Sequence, residues 1–240
     1  MSQEYKSRPR DVAAEKIEYY IIQNNLQPHQ KLLSERDMCK LWNINRTTLR
    51  SAIHRLIIKG KLYNKLGSGT FIAPPKVERN LQDLKTLNVV ADEHGMKITT
   101  KVLSCKKMVA NKNVSKKLHI MLGTDVFELC RLRSFDGQGA IYETTYVSAD
   151  RFPGIENCDF ENHGFYQVLE KEFQCDPFEG QEKIAITYSD SRESELLEIP
   201  EGTPVIYQSG VVSDSEGVPI EFFKAIVRSD LICFTSKLTR

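Results

Sequence analysis

Two groups of residues have types and spacings that could do chemistry. The first is Asn45-Arg-Thr-Thr-Leu-Arg-Ser51, which sets Arg46, Thr47, Thr48, Arg50 and Ser51 within two helical turns. No carboxylate occurs between Asn45 and Lys65. Arginine bonds bidentately to guanine O6 and N7, and hydroxyls and helix-start amides hold phosphates. The second group lies on 125–135, where a period of two puts Phe127, Leu129, Arg131 and Arg133 on one strand face. The opposite face carries Cys130 and Leu132, so both faces read as buried. Two arginines on a buried face need an anion. Two sources are open: an internal carboxylate, Glu143 or Glu221, or a bound phosphate or carboxylate. Glu143 joins them only if the following hairpin pairs odd with odd residues, as when 133 faces 143 around a three-residue loop, and sequence leaves that register open. A helix near 163–174 would add its N-terminal amides. Tyr166 reads either as a sugar contact or as a core aromatic, and His163 either as an anion contact or as a surface residue.

These residues need elements to place them. Over 11–24, Ala13, Ile17, Tyr20 and Ile21 share a helical face. Ser34 caps a second helix over 35–42 that buries Met38, Leu41 and Trp42. Asn43-Ile-Asn45 is the turn, Asn45 caps a third helix over 46–59, and Gly60 stops it. Leu49, Ala52, Ile53, Leu56 and Ile57 form the apolar face of that third helix, opposite Thr47, Arg50, Ser51 and His54. Helix, short turn, helix is the helix-turn-helix arrangement. A hairpin of 61–65 and 70–73 follows around Gly67-Ser68-Gly69, with Lys61 and Lys65 beside a tip that can approach a groove closely. Pro74-Pro75 opens a linker over 74–80. Beyond it come a helix over 81–94, strands over 98–110, 125–135, 140–148, 180–189, 204–213 and 218–228, and short helices over 113–121, 163–174 and 190–198. Hairpin turns at 136–139 and 213–217 make this an antiparallel α+β domain.

Charge supports the same division. Residues 1–80 hold 15 Lys and Arg against 7 Asp and Glu, and the remaining 160 hold 18 against 25. A basic module for a polyanion precedes an acidic domain with another task. With 40% hydrophobic and 27% charged residues, the 240-residue chain is globular. No run of 18 apolar residues predicts a membrane span, and the first ten residues have no apolar stretch of a signal peptide. The six cysteines are scattered and include no C-x-x-C pair, which predicts reduced thiols in a cytoplasmic protein. No metal-ligand cluster, P-loop or nucleophile–base order is visible, so no cofactor, metal or catalytic residue is expected.

Leu32-Leu-Ser-Glu-Arg36, Asn45-Arg-Thr-Thr-Leu-Arg-Ser-Ala52, Gly60 and Gly67-Ser-Gly-Thr-Phe-Ile72 resemble the winged helix-turn-helix of GntR-type bacterial transcription regulators. Leu33 stands where that pattern usually has Pro, and Asn45 where it has Ser. The resemblance implies that Arg36, Arg46 and Arg50 contact DNA, that Ser34, Thr47 and Thr48 reach phosphates, and that Ser68 and Gly69 form the wing tip in the minor groove. Leu129–Arg133, Tyr142-Glu143, Phe165-Tyr166, Leu196–Val205, Gly217–Glu221 and Arg228–Asp230 resemble the UTRA domain of the HutC subgroup, similar in fold to chorismate lyase. The expected domains are therefore 1–73, winged helix-turn-helix; 74–80, linker; and 81–240, UTRA. The resemblance implies a homodimer on double-stranded, inverted-repeat operator DNA. It also implies a small anionic effector, a sugar phosphate, held by Arg131, Arg133, Glu143, His163, Tyr166 and Glu221. His163-Gly164 and Val227 depart from the amino-sugar-phosphate pattern. Two alternatives remain: an effector-blind dimeric DNA-binding protein and a lyase-like enzyme.

Overall fold

The computed structural model describes residues 8–65, 67–81 and 97–237. The chain divides into two units, Met1–Lys76 and Val77–Arg240.

In the first unit, α1 (Pro9–Gln23), α2 (Glu35–Trp42) and α3 (Arg46–Ile58) precede the strands β1 (Leu62–Lys65) and β2 (Gly69–Ile72). Proline opens α1, where its missing N–H leaves no helical bond unmade. Ser34 caps α2 by accepting from Asp37 N at 3.2 Å, and Asn45 caps α3 by accepting from Thr48 N at 2.8 Å. Asn43 makes the turn between them in the left-handed conformation, φ 50°, a geometry asparagine tolerates. Ala13, Ile17, Met38, Leu49, Ala52, Leu56 and Leu62 form one core. Leu41, expected in that core, is 59% exposed. It stands one residue past Lys40 on the outer side of α2, while Met38 takes the inward position. The hairpin β1–β2 pairs Leu62 with Ile72 and Lys65 with Gly69, and Lys31 bridges to Phe71 on its other edge.

The second unit begins earlier than expected. Val77–Asn80, assigned above to the linker, is a strand, β3, and pairs in parallel with β10 (Ile232–Thr235). Val77 is fully buried against Leu231 and Ile232, and that apolar anchor gives the segment its strand. The extended link is thus limited to 73–76. The helix expected over 81–94 lies outside the described residues except for its first position. The main sheet has the order β4-β5-β6-β9-β8-β7 and is antiparallel throughout. Its strands are β4 (Ile98–Val109), β5 (Asp125–Phe135), β6 (Gln138–Ser148), β7 (Glu179–Tyr188), β8 (Pro204–Ser213) and β9 (Pro219–Val227). Helices α4 (Lys112–Leu118), α5 (Phe165–Phe173) and α6 (Ser191–Leu197) cover it. Asp190 and Glu193 form a full capping box on α6.

The β5–β6 hairpin turns through Asp136 and Gly137, both with positive φ, and its register shifts between Arg133 and Ser134. A two-residue turn with a bulge settles the register that the sequence leaves open, and it pairs odd with odd residues. Arg131 consequently faces Glu143, and Arg133 faces Ile141. Odd residues of β5, β6 and β9 share one face with even residues of β7 and β8. That face carries two apolar clusters. One, under α5, contains Phe127, Leu129, Phe152, Phe165, Leu169 and Phe223; the other, under β3 and β10, contains Val77, Ile141, Val227 and Ile232.

Candidate functional site

Between those two clusters runs a belt of buried charge. Arg131 and Arg133 are 2% and 6% exposed. Arg131 Nη2 donates to Glu143 Oε1, and its guanidinium stacks over the Phe165 ring at 5.3 Å. The next acidic member is Glu221, 3% exposed, which accepts from Tyr166 Oη at 2.7 Å and from Thr145 Oγ1 at 3.0 Å. Arg79 reaches the belt from β3. It donates to Gln208 Oε1 at 3.1 Å and to Glu182 Oε1 at 3.0 Å, while Gln208 Nε2 donates to Glu182 Oε2 at 2.6 Å.

The electrostatics follow from burial and crowding. Burial pushes the Arg133 guanidinium down to about 10, and the neighbouring cations Arg131 and Arg79 act in the same direction. Burial works to raise Glu143, but Arg131 and Arg133 outweigh it and hold the carboxyl below its ordinary value. Glu221 goes the other way: burial, reinforced by the Glu143 carboxylate, pushes it up to about 7. Tyr166 rises well above its ordinary value through burial and the facing Glu221. The Nε atoms of Arg79 and Arg131 are buried with no hydrogen-bond partner among the described residues. A buried donor without an acceptor is costly, and an anion entering the belt would meet it.

Of the six residues expected here, the structure brings together Arg131, Arg133, Glu143, Tyr166 and Glu221. It does not bring His163 to them. That ring is half exposed, 4.0 Å from Asp159, and lines a separate open cleft of about 510 Å³ with Asn157, Gln167 and Lys171. Helix α5 starts at Phe165 behind Gly164, which leaves His163 in the preceding turn. Arg79, Thr145, Glu182 and Gln208 were not singled out from the sequence. The alternation along 204–213 carried the signal for Gln208, a polar residue at an inward position. Arg79 gave none, because its strand is four residues long and follows Pro74-Pro75.

In the first unit, Arg46 and Arg50 project from α3 with side chains 72% and 63% exposed. Both hydrogen-bond through Nε to the Glu35 carboxylate, Arg46 to Oε2 at 3.1 Å and Arg50 to Oε1 at 3.0 Å. Burial tends to raise Glu35, yet the bonds to Arg50 and Arg46 hold it below its ordinary value. Arg36 and Thr47 are exposed, and Thr48 is partly so. The Ser34 hydroxyl is engaged at the α2 cap and donates to Asp37 Oδ2 at 2.6 Å. Ser68 N bonds Lys65 O at 2.9 Å, and Gly69 takes φ 120°, a conformation open to glycine.

Residues 9–72 match the bacterial regulatory proteins of the gntR family, and residues 93–232 match the UTRA domain. The chain belongs to the GntR family of the HutC type. Several relatives of this GntR protein span nearly all of it. YurK of Bacillus subtilis (strain 168), an uncharacterised HTH-type transcriptional regulator, is 27% identical over 208 residues, covering 87% of this chain and 86% of YurK. The probable fructoselysine utilization operon transcriptional repressor of Escherichia coli (strain K12) is 25% identical over 215 residues, covering 90% and 88%. The crystal structure of PhnF from Mycobacterium smegmatis superposes with a TM-score of 0.69 at 23% identity, covering 95% of this GntR chain and 99% of PhnF, which shows the shared α+β fold. None of the described helices is long and apolar enough to cross a membrane.

Proposed function

We propose that this GntR-family regulator is a repressor that binds an inverted-repeat operator as a homodimer and responds to a small anionic metabolite, a sugar phosphate. One observation carries the effector reading: two buried arginines, the buried Glu221 and the largely buried Glu143 share a belt between two apolar clusters. Cations fit the phosphate, and Glu143, Glu221 and Tyr166 fit the hydroxyls of a polyol. The Escherichia coli relative is named for fructoselysine utilisation. Fructoselysine carries a hexose-derived polyol, which supports the same ligand chemistry. Arg36, Arg46 and Arg50 read bases, Thr47 and Thr48 hold phosphates, and Ser68 and Gly69 approach the adjacent groove. Two winged units on one dimer match the two half-sites. The effector acts by binding one arrangement of the dimer more tightly than the other, since equal affinity shifts nothing.

A thermal-shift screen of the full chain against phosphosugars, neutral sugars and small carboxylates tests this reading. A ligand that binds only the folded state raises the melting temperature. The expected result is stabilisation by a phosphosugar that neutral sugars do not give and that Arg131→Ala abolishes. The Arg131–Glu143 pair favours a second reading, in which the belt neutralises itself and the second domain only dimerises. Operator affinity unchanged by every stabilising ligand would establish that one. Turnover of a bound sugar phosphate would instead mark an enzyme.

A further inference from the structure

Arg79 connects the anion belt to the chain segment that leads to the DNA-binding unit. Its strand β3 follows the wing strand β2 after only Ala73, Pro74, Pro75 and Lys76. Two consecutive prolines restrict the backbone freedom of that link. At its other end the side chain lies in the belt, three-quarters or more buried, with its guanidinium 5.8 Å over the Phe234 ring of β10. It is close enough to act electrostatically on Arg133, Glu143 and Tyr166.

Arg79, Glu182 and Gln208 close a ring of three hydrogen bonds. Glu182 and Gln208 lie on β7 and β8, on the far side of the belt from Arg131 and Arg133. The Arg79 Nε takes no part in the ring and has no hydrogen-bond partner among the described residues. The guanidinium is thus held by its two Nη atoms alone, while a buried donor stays unused. We infer that Arg79 is both a ligand for the effector anion and the residue that reports its arrival: the anion draws Arg79 from Glu182 and Gln208, and β3 moves with it. This rests on the anion site proposed above. It supplies what that proposal needs, a contact made in one state and absent in the other.

The test uses the full chain, inorganic phosphate as probe, the melting temperature, and amide hydrogen exchange over 73–80. In the wild type, phosphate raises the melting temperature and changes exchange at Val77–Asn80. Arg131→Ala loses both effects. Arg79→Gln needs about tenfold more phosphate for the same rise, the loss of one charge-assisted contact among several. At saturating phosphate it shows no exchange change at 77–80. Glu182→Gln, which weakens the resting contact without touching Arg79, shifts exchange of the phosphate-free protein toward the phosphate-bound pattern. That variant keeps the inference testable if Arg79→Gln folds poorly. A full exchange change in saturated Arg79→Gln, or resting exchange in Glu182→Gln equal to wild type, overturns the reporting role and leaves the anion site standing. Unchanged phosphate affinity in Arg79→Gln overturns its role as a ligand. A wild type that phosphate does not stabilise overturns the anion site itself.

Discussion

Replacing Glu221 with glutamine should make the second unit more stable, and the gain should grow with pH. The wild-type carboxyl titrates near 7 when folded and near 4.5 when unfolded. Burial is the main cause, and the nearby Glu143 carboxylate adds to it. Because the folded value is the higher, the stability from protonated Glu221 is complete below about pH 4.5. It is lost as pH rises through about 7. The separation corresponds to about 3 kcal/mol between the two limits. Glutamine is close in shape, does not titrate, and can still accept from Thr145 or Tyr166. Its stability relative to wild type should therefore rise by about 2–3 kcal/mol from pH 5 to pH 8. Urea denaturation at pH 5, 6, 7 and 8 measures this. The single tryptophan, Trp42, lies in the first unit, so its fluorescence follows that unit and circular dichroism follows both. Only the transition that Trp42 does not report should shift. A wild-type-to-variant difference that stays flat from pH 5 to pH 8 would refute the account of Glu221 as a carboxyl kept neutral by its surroundings.

Three further outcomes follow from single contacts. Asn45→Ala removes the α3 cap and should destabilise the first unit by about 1 kcal/mol, read from the Trp42 transition. Gly210→Ala would place a Cβ 2.7 Å from the Phe223 ring and 2.9 Å from the Gln181 carbonyl; the second unit should lose about 2 kcal/mol or more in urea denaturation. Glu35→Gln removes the carboxylate shared by Arg46 and Arg50 and should change stability by less than about 0.5 kcal/mol, because these pairs are exposed. Its affinity for random-sequence duplex, followed by fluorescence anisotropy across salt concentrations, should rise and fall off more steeply with salt, by about one unit of slope.

The first unit was legible because each of its signals is local. Caps at Ser34 and Asn45, the apolar stripe from Leu49 to Leu56 and the glycines of the wing all act within a few residues of where they are read. The long strands were legible for the same reason, since alternation over ten residues is visible without a partner. Leu41 misled because helical spacing says which residues share a face but not how wide a face the neighbours cover. The β5–β6 register depended on a bulge beside Arg133, which no alternation reveals. Arg79 was out of reach, because β3 is a strand only through a partner at the other end of the chain. Glu221 could be named from sequence, but its unusual affinity for a proton arises from burial beneath other elements, with Glu143 of a neighbouring strand adding to it, and neither is local to its own segment.

The parallel pair β3–β10 also sets an order of events during synthesis. Val77 waits for Ile232, 155 positions later, before its strand can form. The core of the DNA-binding unit lies entirely within Ala13–Ile72 and needs nothing that follows. On the ribosome, that unit can fold while the main sheet is still being made. Loss of the last strand through a premature stop before Ile232 would therefore leave the reading head whole. It would remove the Phe234 ring behind Arg79 and the strand that holds Val77 in place. Such a product would keep its grip on DNA and lose its hearing, and in a cell that also makes the intact protein it would compete for the same sites.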